Sequence, residues 1–295
     1  MEPKRIRGIL PAIITPFNRD GDVEFEHLRG VVRFHLEKGV HGFFACGSAG
    51  EGPLMSIEQR KAVAETVLKE AADRVPVIVH VGTTNTRESI ELARHAEAAG
   101  ATAVGVVTPY YFHPDVEGLI EHYKLIAEAV DIPVLAYNIP IRTGYNMTPE
   151  IVRKLCDIPN MIGVKDSSRN LIQIREIIET APKPITVING SDNLLFAALM
   201  IGVDAQISGI ANVVPELLVE LYEAYKKGVY EKAVDLQAKI NAVKRVLDKP
   251  PIAPIKAALE MRGVKAGLPR RPLRPLTLEE LTKLEERLKT LNLFW

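Results

Sequence analysis

The sequence predicts a (β/α)8 TIM barrel of the α/β class, followed by a C-terminal helical appendage. Three observations support this prediction. A set of about eight short apolar runs recurs between residues 8 and 208, amphipathic stretches of helical periodicity separate them, and only helical patterns follow. Eight strands alternating with helices is the order of such a barrel. We therefore assign residues 1–228 to a catalytic barrel and residues 229–295 to a helical domain.

The predicted strands are β-branched runs bounded by Gly, Pro, Asn or Asp. Most of them are continuously apolar, as expected for a parallel sheet that is covered on both faces. The residues after the first run contain no G-x-G-x-x-G pattern, which disfavours a doubly wound nucleotide-binding fold. In chain order the predicted strands are 8–15, 40–46, 77–81, 103–107, 134–137, 161–165, 185–189 and 204–208.

The predicted helices have apolar residues at three- and four-residue spacing. Gly39 and Gly100 stand where a helix C-cap should precede the next strand. The crossover helices include 57–72, 87–99, 116–130 and 171–180, and later helical patterns cover 215–227, 230–247, 252–261 and 278–291. The first of these later helices completes the barrel, and the other three form the appendage.

The composition favours a small-molecule ligand. The formal net charge is +0, so no basic surface suited to nucleic acid or an anionic membrane is expected. No apolar stretch reaches the roughly 20 residues of a membrane span, and Pro11 and Pro16 interrupt the N-terminal apolar run. Cys46 and Cys156 lack metal-site spacing and are interpreted as buried thiols in a reducing compartment. We expect a cytoplasmic protein.

Lys165 and Tyr137 end neighbouring predicted strands, where barrel active sites are built. A lysine desolvated at the barrel mouth is favoured as a neutral amine, the form that attacks a carbonyl to give an imine. The alternative is a rim lysine paired with Asp166 or with a neighbouring carboxylate. A phenol beside the lysine can relay protons, although tyrosine is also a common amphipathic core residue.

Two further segments have features of anion-binding sites. The loop 47–52, GSAGEG, allows backbone N–H groups to approach a carboxylate, although a tight turn is the commoner explanation of such a pattern. Arg142, in a proline-stiffened loop, suits a second carboxylate, although most loop arginines are solvated. The seven histidines form no HxH or HExxH pattern, and His80 lies within an apolar run. We expect no metal.

These residues in this order resemble the dihydrodipicolinate synthase and N-acetylneuraminate lyase superfamily of class I pyruvate-dependent aldolases. The resemblance extends from residues 8–17, GILPAIITPF, to residues 272–276, PLRPL. It implies that Lys165 forms a Schiff base with pyruvate and that Tyr137 relays protons. It also implies that Ser48 continues this relay to Tyr111, which reaches across a dimer interface into the partner's site.

The same resemblance implies the substrate contacts. The loop GSAGE matches the GxxGE motif, so the backbone amides around Gly47 and Ala49 are expected to hold the pyruvate carboxylate. Gly190 and Ile207 are expected to line the pocket. Arg142 matches the arginine that binds the carboxylate of aspartate semialdehyde, which favours the synthase branch of the superfamily.

The function implied is that of a carbon–carbon or carbon–oxygen lyase of lysine biosynthesis, condensing pyruvate with aspartate semialdehyde. No metal or other cofactor is expected, and the expected assembly is a homotetramer of two tight dimers. Ala49 and Gly52 stand where the synthases usually have threonine and serine, which leaves the second substrate open. We weigh two alternatives to the synthase. One is an aldolase of 2-keto-3-deoxy sugar acids such as 2-keto-3-deoxygluconate, and the other is a non-catalytic ligand-binding homologue.

Overall fold

Eight parallel strands form the centre of the molecule. The structure is a computed structural model that describes residues 6–247 and 252–293. Within these residues the strands are β1 (Gly8–Pro11), β2 (Phe43–Ala45), β3 (Val77–His80), β4 (Ala103–Val107), β5 (Val134–Asn138), β6 (Met161–Asp166), β7 (Thr186–Asn189) and β8 (Ala205–Ser208). Each predicted strand corresponds to one of these.

The sheet closes on itself into a barrel. Hydrogen-bonded neighbours run in the order β1-β8-β7-β6-β5-β4-β3-β2. The remaining gap is bridged where Ala12 pairs in parallel with Phe44, and where Ile13 N donates to Phe44 O at 3.1 Å. The predicted (β/α)8 barrel is therefore confirmed.

Helices surround the barrel and continue beyond it. Consecutive crossover helices pack side by side around the sheet. The helices are α1 (Phe25–Glu37), α2 (Ile57–Ala71), α3 (Thr86–Ala98), α4 (Val116–Ala127), α5 (Pro140–Thr143), α6 (Pro149–Leu155), α7 (Leu171–Thr180), α8 (Leu195–Met200), α9 (Pro215–Lys226), α10 (Tyr230–Leu247), α11 (Ala253–Met261) and α12 (Leu278–Lys289). The last three form the predicted appendage.

The structure corrects several predicted boundaries. The first strand ends at Pro11 and not at Thr15. Ala12 N still donates to Ser208 O of β8, but Ile14 N donates to the Asn212 side chain and so leaves the sheet. The predicted second strand loses its start to the end of α1, where Val40 N donates to a helix carbonyl. Helices α5, α6 and α8 contain only four, seven and six residues, too few for helical periodicity to reveal them.

Two glycines end crossover helices as predicted. Gly39 follows α1 with φ +72°, and Gly100 follows α3 with φ +89°. This left-handed backbone costs glycine little, because glycine has no Cβ. Each glycine amide donates back to its helix, to Leu36 O and Glu97 O respectively. The chain then turns directly into the next strand.

Two apolar layers fill the barrel and its surroundings. One lies between strands and helices. The other fills the interior and contains Leu10, Phe44, Ile78, Ile188 and Tyr137. Tyr137 lies near the carboxyl end of β5, so its ring closes the packed interior and its hydroxyl faces the barrel mouth. The interior is thus solid below the strand ends, and open space begins at them.

Candidate active site

A cavity of about 640 Å³ opens at the carboxyl ends of the strands. This is the end of the barrel at which such folds build their active sites. Seven of the nine predicted site residues line it: Ser48, Ala49, Tyr137, Arg142, Lys165, Gly190 and Ile207. Gly47 lies behind the wall, and Tyr111 lies elsewhere.

Lys165 lies at the base of this cavity. It follows four strand residues of β6, is 5% exposed, and sits beside Tyr137 in the β5–β6 register. Its Nζ is 3.8 Å from the centroid of the Tyr137 ring and 4.3 Å from that of Phe44. Burial lowers the pKa of Lys165, against the opposing effects of Tyr137 and Asp192. The site therefore favours the neutral, nucleophilic amine.

Asp166 does not pair with Lys165, which argues against a rim ion pair with that residue. Its carboxylate accepts hydrogen bonds from Asn138 Nδ2 at 2.8 Å and Gln173 Nε2 at 3.0 Å. Adjacent residues of a strand point to opposite faces, so Asp166 faces the helices when Lys165 faces the barrel mouth. Asn138 in turn accepts the amide of Met147 at 3.0 Å, which braces the segment that carries Arg142.

Tyr137 has the surroundings of a proton relay. Its hydroxyl lies 3.5 Å from Ser48 Oγ, and the side chain is almost completely buried. Burial alone would raise the pKa of the phenol. The charge of Lys165, the hydrogen bonds with Ser48 and Lys165, and the charge of Arg142 outweigh burial and lower this pKa. A phenol with a lowered pKa gives and regains a proton more readily near neutral pH.

The loop 47–52, called here the glycine loop, turns sharply after β2. Cys46 adopts a left-handed φ of +57°, which directs the chain back over the end of the strand. A Cβ at Gly47 would lie 2.5 Å from the Phe44 ring, and a Cβ at Gly52 would overlap the carbonyl oxygen of Cys46. Gly52, the departure from the usual serine, is therefore required by the backbone of this turn. Ala49 places a methyl group on the cavity wall.

Arg142 and the end of β7 form the upper walls. Arg142 lies on the short helix α5 with its side chain exposed along the cavity. A Cβ at Gly190 would overlap the Ser167 hydroxyl, so a larger residue there would have to displace that side chain. Ser191 and Asp192 also line the cavity, although sequence reasoning gave them no role. Their position directly after β7 is the signal that was available.

The glycine loop ends in a buried ion pair that the sequence did not predict. Glu51 Oε1 and Lys256 Nζ are 2.6 Å apart, and both side chains are 1% exposed. Burial lowers the pKa of Lys256 to about 8, and burial raises the pKa of Glu51; each charge opposes the shift of its partner. The close contact and the mutual stabilisation indicate that both groups are charged. Lys256 belongs to α11, so the appendage reaches the candidate site.

Tyr111 is not part of the cavity of its own chain. It is 84% exposed, has a left-handed φ of +75°, and stacks edge-on with the exposed Phe112. Its role in a partner's site stays a prediction.

The described residues contain no group of three or more His, Cys, Asp or Glu side chains placed to hold a metal ion. No helix in this part of the chain combines the length and apolarity of a membrane span.

Two further predictions concern buried side chains. Cys46 and Cys156 are free and buried, as predicted. His80 is also buried, and its ring lies edge-on to those of Tyr137 and Phe44. Its Nδ1 lies 3.2 Å from Cys46 O, so the histidine is a core residue that supports the turn.

Comparisons with known proteins agree with this geometry. The model of the Dihydrodipicolinate synthetase family matches residues 5–291. The chain is 42% identical over 288 residues to a 4-hydroxy-tetrahydrodipicolinate synthase of Archaeoglobus fulgidus, covering 97% of this chain and 98% of the relative. The resemblance inferred from the motifs is thereby confirmed, as is the prediction of a lyase of this type.

Solved structures show the same fold over the whole length. The dihydrodipicolinate synthase of Aquifex aeolicus has a TM-score of 0.93 at 34% identity, covering 98% of this chain and 99% of that chain. YagE, a prophage protein of the same family from Escherichia coli K12, was solved in complex with pyruvate. It has a TM-score of 0.94 at 33% identity, with coverage of 98% and 99%.

Proposed function

Because this chain belongs to the dihydrodipicolinate synthetase family, we propose that it is a 4-hydroxy-tetrahydrodipicolinate synthase. It condenses pyruvate with aspartate semialdehyde through an imine on Lys165. The observation that carries the proposal is the buried Lys165 amine at the base of the strand-end cavity, with its nitrogen 3.8 Å from the centre of the Tyr137 ring.

The reaction begins at Lys165 Nζ. The neutral amine attacks the keto carbon of pyruvate, and the resulting carbinolamine loses water to give the imine. Tyr137 donates the proton that the departing hydroxyl needs, which leaves a protonated imine and a phenolate beside the Ser48 hydroxyl. The phenolate takes a methyl proton to give an enamine, whose carbon bonds to the aldehyde carbon while the aldehyde oxygen takes a proton from Tyr137. Hydrolysis of the new imine frees Lys165.

The protonated imine nitrogen draws electrons from the methyl carbon during deprotonation. This electron sink supplies what a metal ion supplies in other aldolases, so the proposed chemistry uses no metal or other cofactor. The remaining groups position the substrates. The amides of the glycine loop around Gly47 and Ala49 bind the pyruvate carboxylate, with Gly190 and Ile207 closing the pocket around it. Tyr111 of a partner chain extends the proton relay.

Arg142 selects the second substrate. Its planar guanidinium suits the carboxylate of aspartate semialdehyde, and it lies on the wall of the same cavity as Lys165. The name of the relative at 42% identity favours this substrate over 2-keto-3-deoxy sugar acids. Ala49 removes one hydroxyl from the pocket, whereas Gly52 reflects the backbone turn and carries no information about the substrate.

We further propose a setting for this activity. The product belongs to lysine biosynthesis, as the naming of the relative indicates. The free, buried Cys46 and Cys156 fit the reducing conditions of the cytoplasm. The exposed Tyr111 and Phe112 are available for a dimer contact, and two such dimers give the proposed homotetramer.

Trapping the imine tests the reaction class. The protein is treated with pyruvate and borohydride, which reduces an imine to a stable secondary amine, and the intact mass is measured. We expect one pyruvyl adduct that maps to Lys165 and is absent in Lys165→Ala. Lys244→Ala, which removes another lysine of the cavity wall, serves as the matched control and should keep the adduct.

An adduct on another lysine, or none on the folded protein, would overturn the proposal.

Steady-state turnover identifies which aldehyde is the second substrate. Faster turnover with aspartate semialdehyde than with 2-keto-3-deoxygluconate supports the synthase, and the reverse order selects the sugar-acid aldolase. An adduct without turnover of either substrate would show that the pyruvate chemistry is right and the second substrate wrong.

A further inference from the structure

The ammonium group of Lys256 joins three segments that are distant in the sequence. Besides the contact with Glu51, Lys256 Nζ donates to Thr15 O and to Leu268 O, each at 2.7 Å. These two carbonyls and the ion-paired carboxylate oxygen of Glu51 place three oxygens within 2.7 Å of the ammonium nitrogen. The group also lies 4.7 Å from the centre of the Phe17 ring, so it is enclosed on all sides.

Glu51 transmits this anchorage to the glycine loop. It has a left-handed φ of +57°, and its amide donates to Ser48 O at 3.2 Å, which closes the turn that presents Ser48. Its second carboxylate oxygen accepts the amide of Arg270 at 2.7 Å. The carboxylate is thus held from two directions, by α11 and by the segment that follows it.

Thr15 gives the loop a second link to the same ammonium. Its carbonyl binds Lys256, and its hydroxyl donates to Gly50 O at 2.8 Å. The glycine loop is therefore held at Gly50 and at Glu51, and Lys256 is common to both connections. A glycine-rich loop has high conformational freedom, so a substrate site made from its amides needs such external restraint.

We propose that Lys256 and Glu51 are positioning residues for pyruvate binding. Their buried ion pair holds the glycine loop in the shape that binds the pyruvate carboxylate and keeps Ser48 beside Tyr137. This inference rests on the proposed function. A buried ion pair is a poor device for stability alone, because an apolar pair of similar volume often does as well or better. Holding the end of the glycine loop in place explains why two charged groups are buried away from water here.

The test measures how imine trapping depends on pyruvate concentration in the full chain. In Lys256→Met the loop loses its restraint, so the half-saturating pyruvate concentration should rise by about tenfold or more. The trapping rate at saturation should change much less, because Lys165 and Tyr137 stay on their strands. If the folded Lys256→Met variant had the same half-saturating pyruvate concentration as the wild type, the inference would be overturned.

The double variant Glu51→Gln with Lys256→Met separates positioning from stability. It leaves no unpaired buried charge, so its thermal stability should return toward that of the wild type. The half-saturating pyruvate concentration should nevertheless stay raised, because Thr15 and the glycine loop no longer contact the same ammonium group. If the half-saturating pyruvate concentration returned to the wild-type value along with the thermal stability, the role of the ion pair would be purely structural and the inference would be overturned. This variant also carries the test if Lys256→Met alone fails to fold.

Arg262→Met is the matched control within the same appendage. Arg262 follows α11 and pairs with Glu216 of α9 at 2.7 Å, away from the glycine loop. The variant should lower thermal stability and leave half-saturation within about twofold of wild type. An equal rise in this control would also overturn the inference. Absence of any adduct in the wild type would instead refute the proposed function itself.

Discussion

At the scale of single residues, the candidate site depends on two neighbours in the sheet. Lys165 and Tyr137 pair across β5 and β6, so the amine lies against the phenol ring. Burial disfavours the charged form of the amine, and while the amine is protonated its charge, together with that of Arg142, lowers the pKa of the phenol. The same packing therefore prepares one group as a nucleophile and the other as a proton carrier.

The lowered pKa of Lys165 predicts the pH dependence of imine formation. Only the neutral amine reacts, and its fraction rises as pH increases through the pKa. Because burial lowers this pKa from 10.5, the midpoint of the rise in trapping rate should lie below pH 10.5. The initial rate of trapping by cyanoborohydride, measured at saturating pyruvate across this range, checks the prediction. A midpoint at pH 10.5 or above would contradict it.

Replacing Tyr137 by Phe removes the proton relay and keeps the ring beside Lys165. We expect kcat to fall by roughly 10²- to 10⁴-fold, the usual contribution of a positioned acid or base. The unfolding midpoint should change little, because the ring packing is retained. Steady-state kinetics with Tyr110→Phe as the control tests this, since the half-buried Tyr110 has no role in the proposed reaction. A kcat for Tyr137→Phe within threefold of wild type would rule out the relay.

At the scale of elements, the glycine loop shows how a turn is shaped by the residues around it. The left-handed Cys46 returns the chain over β2, and the carbonyl of Cys46 then occupies the space beside Gly52. Phe44 similarly fills the space beside Gly47. These contacts make the loop sensitive to added side-chain volume at positions that touch no substrate.

Gly52→Ser should therefore be strongly destabilising, although serine is usual at this position in the synthases. The new Cβ must displace the backbone at Cys46, and we expect a loss of about 3 kcal/mol in the free energy of unfolding. Gly39→Ala is the control, because Gly39 also follows an element end but has open space around it. Its left-handed φ of +72° alone should cost about 1–2 kcal/mol. If urea unfolding showed the same loss in free energy of unfolding for Gly52→Ser and Gly39→Ala, the overlap with the Cys46 backbone would not be the cause.

At the scale of the whole molecule, the appendage is tied to the catalytic end of the barrel. Gln237 of α10 donates to Asp192 O at 2.9 Å and accepts the amide of Phe196 at 2.8 Å, which holds the connection after β7. Lys256 of α11 holds the glycine loop. The division into residues 1–228 and 229–295 stays a prediction, and these contacts indicate that the two parts would unfold together.

Mixed subunits test whether Tyr111 serves a partner's site. Lys165→Ala and Tyr111→Phe chains, each nearly inactive, are unfolded together and refolded in equal amounts. If Tyr111 crosses the dimer interface, half of the dimers are mixed and each mixed dimer contains one intact site. Activity should then recover to about a quarter of wild type. Lys165→Ala mixed with Tyr137→Phe is the control and should recover none, because both residues belong to one site. No recovery in the first mixture would place Tyr111 outside the partner's site.

The sequence by itself determined the barrel, most element positions and the placement of Lys165 and Tyr137. These depend on local periodicity and on the rule that strand ends form the site, both of which are properties of short segments. Only the tertiary structure decided that Asp166 turns away from Lys165 and that Glu51 pairs with Lys256. The reason is that a side-chain partner from a distant segment is chosen by packing and burial, which no local pattern of residues records.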